Sequence, residues 1–355
     1  MPPGAGGRSA IASRNEPISV TCLPVLCCLR VTRASGCAKE VAPARLSAGL
    51  KAHSDLTDVW PPQRSSQSAL EAICCARRRW VISAGHMGEC GVLELYYFPT
   101  ATCGYKARLT LDEKRVDFTA RVLDRDAGDL LTPEYLRLNP NAVVPTLVHD
   151  GHVIIESSII MAYIDHAFAG PALSPVDPLS RARMQMWMKQ ADEKYLPSIG
   201  AVTYGTFRRL EILEQHGDHL EAYYSDIPDP DRRAQRRSVV EQGIRSPHAR
   251  QGIVILQKML FEIEAALRDR PFLCGVAYSL ADASVTPFVS RLNELSLDWM
   301  WADLPGVRGW WDRIRARASF DAVFGAFPNP DRIRRLREAG LEARPAVEEI
   351  LLGAA

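Results

Sequence analysis

Between Val153 and Ala167 the chain reads VIIESSIIMAYIDHA, and the three polar residues near its middle have the types and placement to do chemistry. Val153, Ile154 and Ile155 are strand formers, whereas Ile159, Ile160, Tyr163, Ile164 and Ala167 fall at helical spacing, so a helix starts near Ser157. Glu156, Ser157 and Ser158 supply the side-chain oxygens that cap such a start. Free N–H groups and the positive end of the helix dipole make it a seat for a carboxylate or a phosphate. The simpler alternative is that these residues only cap the helix.

Other patterns point away from metal and nucleotide chemistry. His149-x-x-His152 straddles a turn and His216-x-x-His219 lies in a polar stretch, and neither has convergent cysteines or carboxylates, so they read as solvated histidines. Cys27-Cys28 and Cys74-Cys75 are adjacent pairs without the usual C-x₂₋₄-C spacing. No metal site is expected. No glycine-rich phosphate loop occurs. The basic run RIRRLREAGLEAR near the end reads as a helical, solvated tail rather than a nucleic-acid surface.

The elements around Glu156 can be read from local pattern. VLELYYFP alternates like a strand, TCGYKARLTLDEKR is helical, VDFTARVL is a second strand and TPEYLRLNP a short helix stopped by Pro140. VVPTLV and HVII flank Asp150-Gly151, a dipeptide that tolerates the positive φ of a type I′ turn, so they form an antiparallel hairpin with Pro145 at its head. The order β-α-β-α-β-β-α implies one mixed sheet with helices on its faces, a thioredoxin-like arrangement in which Val144-Pro145 stands at the cis-proline position. Beyond the Pro- and Gly-rich GPALSPVDP linker the chain turns all-helical, with helices expected over Leu179 to about Tyr224, Asp231 to Arg270, Leu280 to Leu295 and Pro305 to Ser319.

Charge and cysteine divide the chain in two. The net charge is +1, so no global field points to nucleic acid or a membrane surface. Residues 1 to 86, however, hold eleven Lys or Arg against five Asp or Glu and six of the nine cysteines, with little periodicity. We read them as a disordered or spurious extension; an Arg-rich organelle-targeting peptide is the alternative. ISVTCLPVLCCL resembles the apolar part of a signal peptide and ASGC a lipid-attachment site, but Arg30 and Arg33 interrupt the approach to Cys37, and the stretch is too short to span a bilayer.

VVPTLVHDGHVIIES in the first domain and FLCGVAYSLADASVTPFVSRL in the second, with Ser279 and Asp282 at capping-box spacing, resemble the glutathione S-transferase superfamily over about residues 91 to 325. FAGPALSPVDPLSRARMQMWMKQADEKYLPSIG and SDIPDPDRRAQRR are similar to the glutathione-dependent β-aryl ether-cleaving enzymes of lignin-degrading bacteria. The resemblance implies an α/β thioredoxin-like N-terminal domain at 91–169, an all-helical C-terminal domain at 178–325, a tail at 326–355 and glutathione as co-substrate. It also implies a cytoplasmic homodimer active in detoxification, with no nucleic acid or membrane partner.

Carried over by position, the Val144 backbone pairs with the cysteinyl part of glutathione beside Pro145. Glu156 answers the γ-glutamyl ammonium, and Ser157 with its helix N-terminus answers the γ-glutamyl carboxylate. A glutathione thiolate formed there attacks a small hydrophobic electrophile. Three residues compete to stabilise the thiolate: Thr102 through its hydroxyl or a neighbouring N–H, Cys103 by weak donation or a mixed disulfide, and Tyr97 through its phenol. Where relatives often carry Gln or a basic residue before Val-Pro, this chain has Asn141-Ala142-Val143, so Asn141 or Lys106 would have to serve the glycyl end. The electrophile pocket is expected around Met184, Trp187, Met188 and Tyr195, although Trp and Met at roughly helical spacing more often form core. A transferase fold without catalysis, acting through protein contacts, is the alternative.

Overall fold

The computed structural model describes residues 92–327 and 329–353; the proposed extension over 1–86 lies outside the described residues. The first domain is β1 (Leu93–Tyr97), α1 (Thr102–Lys114), β2 (Thr119–Val122), α2 (Pro133–Leu138), β3 (Thr146–His149), β4 (His152–Ile155) and α3 (Ser157–Ala167). The sheet order is β2-β1-β3-β4, with β1 and β2 parallel and the other pairs antiparallel. This is the thioredoxin-like arrangement. Alternate residues Leu93, Leu95 and Tyr97 point from β1 into a core shared with Ala107, Leu111, Leu147, Ile160 and Ile164. Asp150 and Gly151 both take positive φ, 50° and 79°, which closes the hairpin. The Val144–Pro145 peptide is cis, immediately before β3.

The second domain is all helical and interrupts three of the four expected helices. Its first rod runs through α4 (Pro178–Gln190), α5 (Leu196–Thr203) and α6 (Arg209–His216), joined by π-helical turns at Ala191–Tyr195 and Tyr204–Arg208. It stops at Gly217, whose φ of 45° leaves the helical region, and a short α7 (Leu220–Ser225) follows. The helix expected over Asp231 to Arg270 is two, α8 (Pro230–Gln242) and α9 (Pro247–Ala266). Gly243 takes φ 65° between them, and Ser246 caps α9 ahead of Pro247.

Helix α10 (Leu280–Glu294) is buried along most of its length. Asp282 anchors its start, accepting from the Ser279 N–H at 3.0 Å and hydroxyl at 2.9 Å, the Leu273 N–H at 3.0 Å and the Trp310 indole at 2.9 Å. Helices α11 (Pro305–Arg315) and α12 (Ala318–Phe324) replace the single expected helix.

The segment read as a solvated tail is instead α13 (Pro330–Leu352) with one face in the core. Leu336, Ala339, Ala343, Val347 and Ile350 recur at helical spacing among the arginines, and that stripe is buried. Gly340 allows the close approach: a Cβ there would lie 1.6 Å from the Leu295 carbonyl oxygen. Among the described residues, no helix is long and apolar enough to cross a membrane.

Polar contacts join the domains along α1. Arg317 grips the Glu113 carboxylate through two nitrogens at 2.6 Å each, and Arg291 donates to the Thr100 carbonyl at 2.9 Å.

Candidate functional site

A cavity of about 670 Å³ opens where the β1–α1 loop and the cis-proline loop face α5, α6, α8 and the start of α13. Thr102, Cys103 and Val144 line its floor. Cys103 enters from the first turn of α1, and its Sγ donates to the Val144 carbonyl oxygen at 3.0 Å. The loop is braced from behind. The Val143 carbonyl accepts from the Tyr135 hydroxyl at 2.6 Å and from Asn139 Nδ2 at 2.9 Å, and both donors also reach the Thr146 hydroxyl, at 3.0 and 3.2 Å. Burial pushes the Tyr135 phenol up to about 12, so it remains a donor at neutral pH.

One turn along α1, Lys106 is fully buried and donates to Ser157 Oγ at 3.0 Å, Ser158 Oγ at 2.9 Å and Asp192 Oδ1 at 2.5 Å. Burial lowers the Lys106 pKa, and the Asp192 carboxylate opposes that shift. A single helix therefore reaches both halves of the expected binding surface: Cys103 meets the cis-proline loop and Lys106 meets the start of α3. Burial pushes the Cys103 thiol up, while the Lys106 charge and the Gly104 N–H pull the other way.

Ser157 is buried beneath the α3 start, whereas Glu156 is exposed at φ 69°, a positive value rare for a residue with a side chain. The Lys106 ammonium is taken up by Ser157, Ser158 and Asp192, and the Asn141 carbonyl accepts from Arg232 at 3.3 Å.

Several expected site residues lie elsewhere. Tyr97 is 3% exposed, packed in the first-domain core with the Arg108 guanidinium 4.9 Å from its ring centre, and it does not line the cavity. Met184, Met188 and Tyr195 belong to the second-domain core with Trp187 packed against it, and the Tyr195 hydroxyl donates to Gln190 and Glu262. The next two turns of the same rod, with Leu196, Pro197, Ile199, Gly200 and Tyr204, supply the wall instead. His149 bonds the Tyr163 hydroxyl at 2.6 Å, and no cluster of three metal-ligating side chains forms among the described residues.

The cavity also contains residues that local sequence pattern did not single out. Tyr204 accepts from Arg125 at 2.7 Å, and the Arg236 guanidinium lies 3.2 Å from its ring centre. Burial works against ionising this phenol, but Arg125, Arg236 and Arg208 outweigh it and hold its pKa below the usual range. Of these, only Arg236 had an advance signal, the basic composition of the SDIPDPDRRAQRR run.

Residues 95–172 match the family model "Glutathione S-transferase, N-terminal domain", and residues 246–313 match "Glutathione S-transferase, C-terminal domain". The chain is 30% identical to the tetrachloro-p-hydroquinone reductive dehalogenase of Sphingobium chlorophenolicum over 65% of this chain and 95% of that one. It is 25% identical to protein LigF of Sphingobium sp. (strain NBRC 103272 / SYK-6), over 69% of this chain and 98% of that protein. The crystal structure of the β-etherase LigF superposes with a TM-score of 0.61 over 66% of this chain and all of that one. Glutathione transferase F7 from Populus trichocarpa, also 25% identical, gives 0.52 over 67% of this chain and all of that one.

Proposed function

Because the chain belongs to the glutathione S-transferase family, we propose that it binds glutathione across Val144, Pro145, Glu156 and Ser157 and uses its thiolate to attack an electrophile in the adjoining cavity. The observation that carries this reading is the Cys103 thiol on the Val144 carbonyl at 3.0 Å. The cysteinyl N–H of glutathione would pair with that carbonyl, which brings its sulfur beside Cys103 and Thr102. Cys103 is the leading partner for the sulfur and Thr102 the second. Tyr97 is set aside because its side chain is in the core.

The step is a substitution. The glutathione S–H loses its proton, sulfur bonds to carbon, and the leaving group departs with the carbon's former bonding pair. An aryloxy leaving group makes it ether cleavage and releases a phenolate; a halide makes it dehalogenation by conjugation. The relatives named as a β-etherase and a reductive dehalogenase support leaving groups of these kinds. None of these relatives supports the non-catalytic alternative.

Exposed Val153 and Ile159 on β4 and α3 support a homodimer. A reducing cytoplasm suits both glutathione and the free thiols of Cys103 and Cys274, and detoxification of foreign electrophiles suits the chemistry.

Calorimetric titration of glutathione into the full chain, with Glu156→Ala as control, tests the binding surface. Saturable heat is expected, with affinity about tenfold weaker in the variant. No heat at millimolar glutathione would remove the basis for catalysis.

A further inference from the structure

The cavity carries more positive charge than the carboxylates in its lining answer. Six guanidinium groups line the cavity, those of Arg125, Arg208, Arg232, Arg236, Arg291 and Arg332, against two carboxylates, Asp126 and Asp226. Arg208 is answered by Asp126 at 2.9 Å and by Glu211, and Arg291 by Glu294 at 2.7 Å. The other four form no ion pair among the described residues. Arg125 reaches the Tyr204 hydroxyl and lies over Phe98, while Arg236 stacks on Tyr204 and donates to the Tyr223 hydroxyl at 2.9 Å. Arg232 reaches the Asn141 carbonyl, and Arg332 lies over the Phe207 ring.

Like charges gathered in a recess repel one another and lose hydration, and the effect is visible here. Burial, with Arg291 next, pulls Arg332 down to about 10, and burial with Arg236 lowers Arg232. Arg208 Nε is buried with no partner. The π-helical turn Tyr204–Arg208 supplies both Tyr204 and Arg208 to the lining, a local distortion often found at functional sites. The same cavity is also lined by apolar Phe98, Leu130, Leu196 and Ile199.

We propose that the arginines of the cavity lining bind the carboxylate of an acidic electrophile, so that the second substrate is an anion with an apolar body rather than a neutral hydrophobe. This rests on the glutathione reading for the reaction, although not for the anion site. Planar guanidinium forks match carboxylates in a way that neutral hydroxyls do not, and the apolar lining holds the body that links carboxylate to reacting carbon.

The test is calorimetry on the full chain with benzoate and with its neutral isostere benzamide, each alone and each with glutathione saturating. Benzoate is expected to bind at least about tenfold more tightly than benzamide, to lose that advantage in Arg236→Leu and in Arg332→Leu, and to bind alongside glutathione. Equal affinities, or no benzoate binding, would overturn the inference even if a variant misfolds, because that comparison needs only the unaltered chain. Displacement of benzoate by glutathione would also overturn it, by giving the arginines to the tripeptide's own carboxylates. Benzoate binding without any glutathione binding would leave the anion site standing and sink the transferase reading.

Discussion

Cys103 and Val144 are 41 residues apart, yet the thiol of the first donates to the carbonyl of the second at 3.0 Å. The contact exists because α1 begins against the loop that carries the cis peptide, and Tyr135 and Asn139 hold that loop from the opposite side. A ligand strand laid along Val144 would meet Cys103 before any other sulfur in the described residues.

Removing that sulfur should therefore be felt in turnover. Cys103→Ala is expected to lower glutathione-dependent kcat/KM by about a hundredfold, the scale for losing one preorganised donor at a reacting centre. Cys103→Ser should recover part of the loss, and Thr102→Ala should cost only about threefold, near the scale of a weak neutral hydrogen bond. Steady-state kinetics decide between them, and the reverse pattern would give the role to Thr102. Since burial pushes the resting Cys103 thiol up, its alkylation rate should keep climbing with pH through the ordinary thiol range instead of levelling off below it.

Glu156 sits at φ 69° and ψ 113°, a conformation a glycine would hold with less strain. Glu156→Gly should leave stability unchanged or raise it by about 1 kcal/mol, while weakening glutathione binding by about tenfold, the loss of one charge-assisted contact. Denaturant melts and calorimetry read the two effects separately. Parallel loss of both would give Glu156 a structural role, although its side chain makes no capping bond at the α3 start.

Tyr204 should titrate below ordinary tyrosines, because the Arg125, Arg208 and Arg236 charges favour its phenolate over the opposing effect of burial. On raising the pH, a near-ultraviolet phenolate signal should appear before that of the bulk tyrosines. It should vanish in Tyr204→Phe and move to higher pH in Arg125→Leu. The same onset in all three proteins would assign the early signal elsewhere.

Gly340 lets α13 touch the end of α10. In Gly340→Ala the new Cβ would meet the Leu295 carbonyl oxygen, which is backbone and cannot rotate away, so the helix must shift. A loss of about 3 kcal/mol is expected from this overpacking, measurable by thermal or denaturant unfolding. An unchanged midpoint would mean that α13 is held loosely.

Legibility in the sequence followed the range of the interaction. The Asp150-Gly151 turn, the start of α3 near Ser157 and the Ser279–Asp282 start of α10 each depend on residues a few positions apart, and each was readable. Thr102, Cys103 and Val144 could be nominated for the same reason, since they flank element ends.

Periodicity names an apolar face without saying what it meets. Met184, Met188 and Tyr195 looked like a pocket wall and are core, while the turns just after them face the cavity. The arginine-rich end hid an apolar stripe that becomes buried only because Leu295 comes to meet Gly340. Lys106 could be nominated only as a candidate for the glycyl end; that Ser157, Ser158 and Asp192 converge on it from two other segments was not legible. The sequence alone determined a thioredoxin-like domain followed by a helical one, and where its helix starts would fall. Tertiary structure alone decided which side chains share the cavity, because Arg125, Arg208, Arg236 and Arg332 come from separate segments and acquire a common field only when packing brings them to one wall.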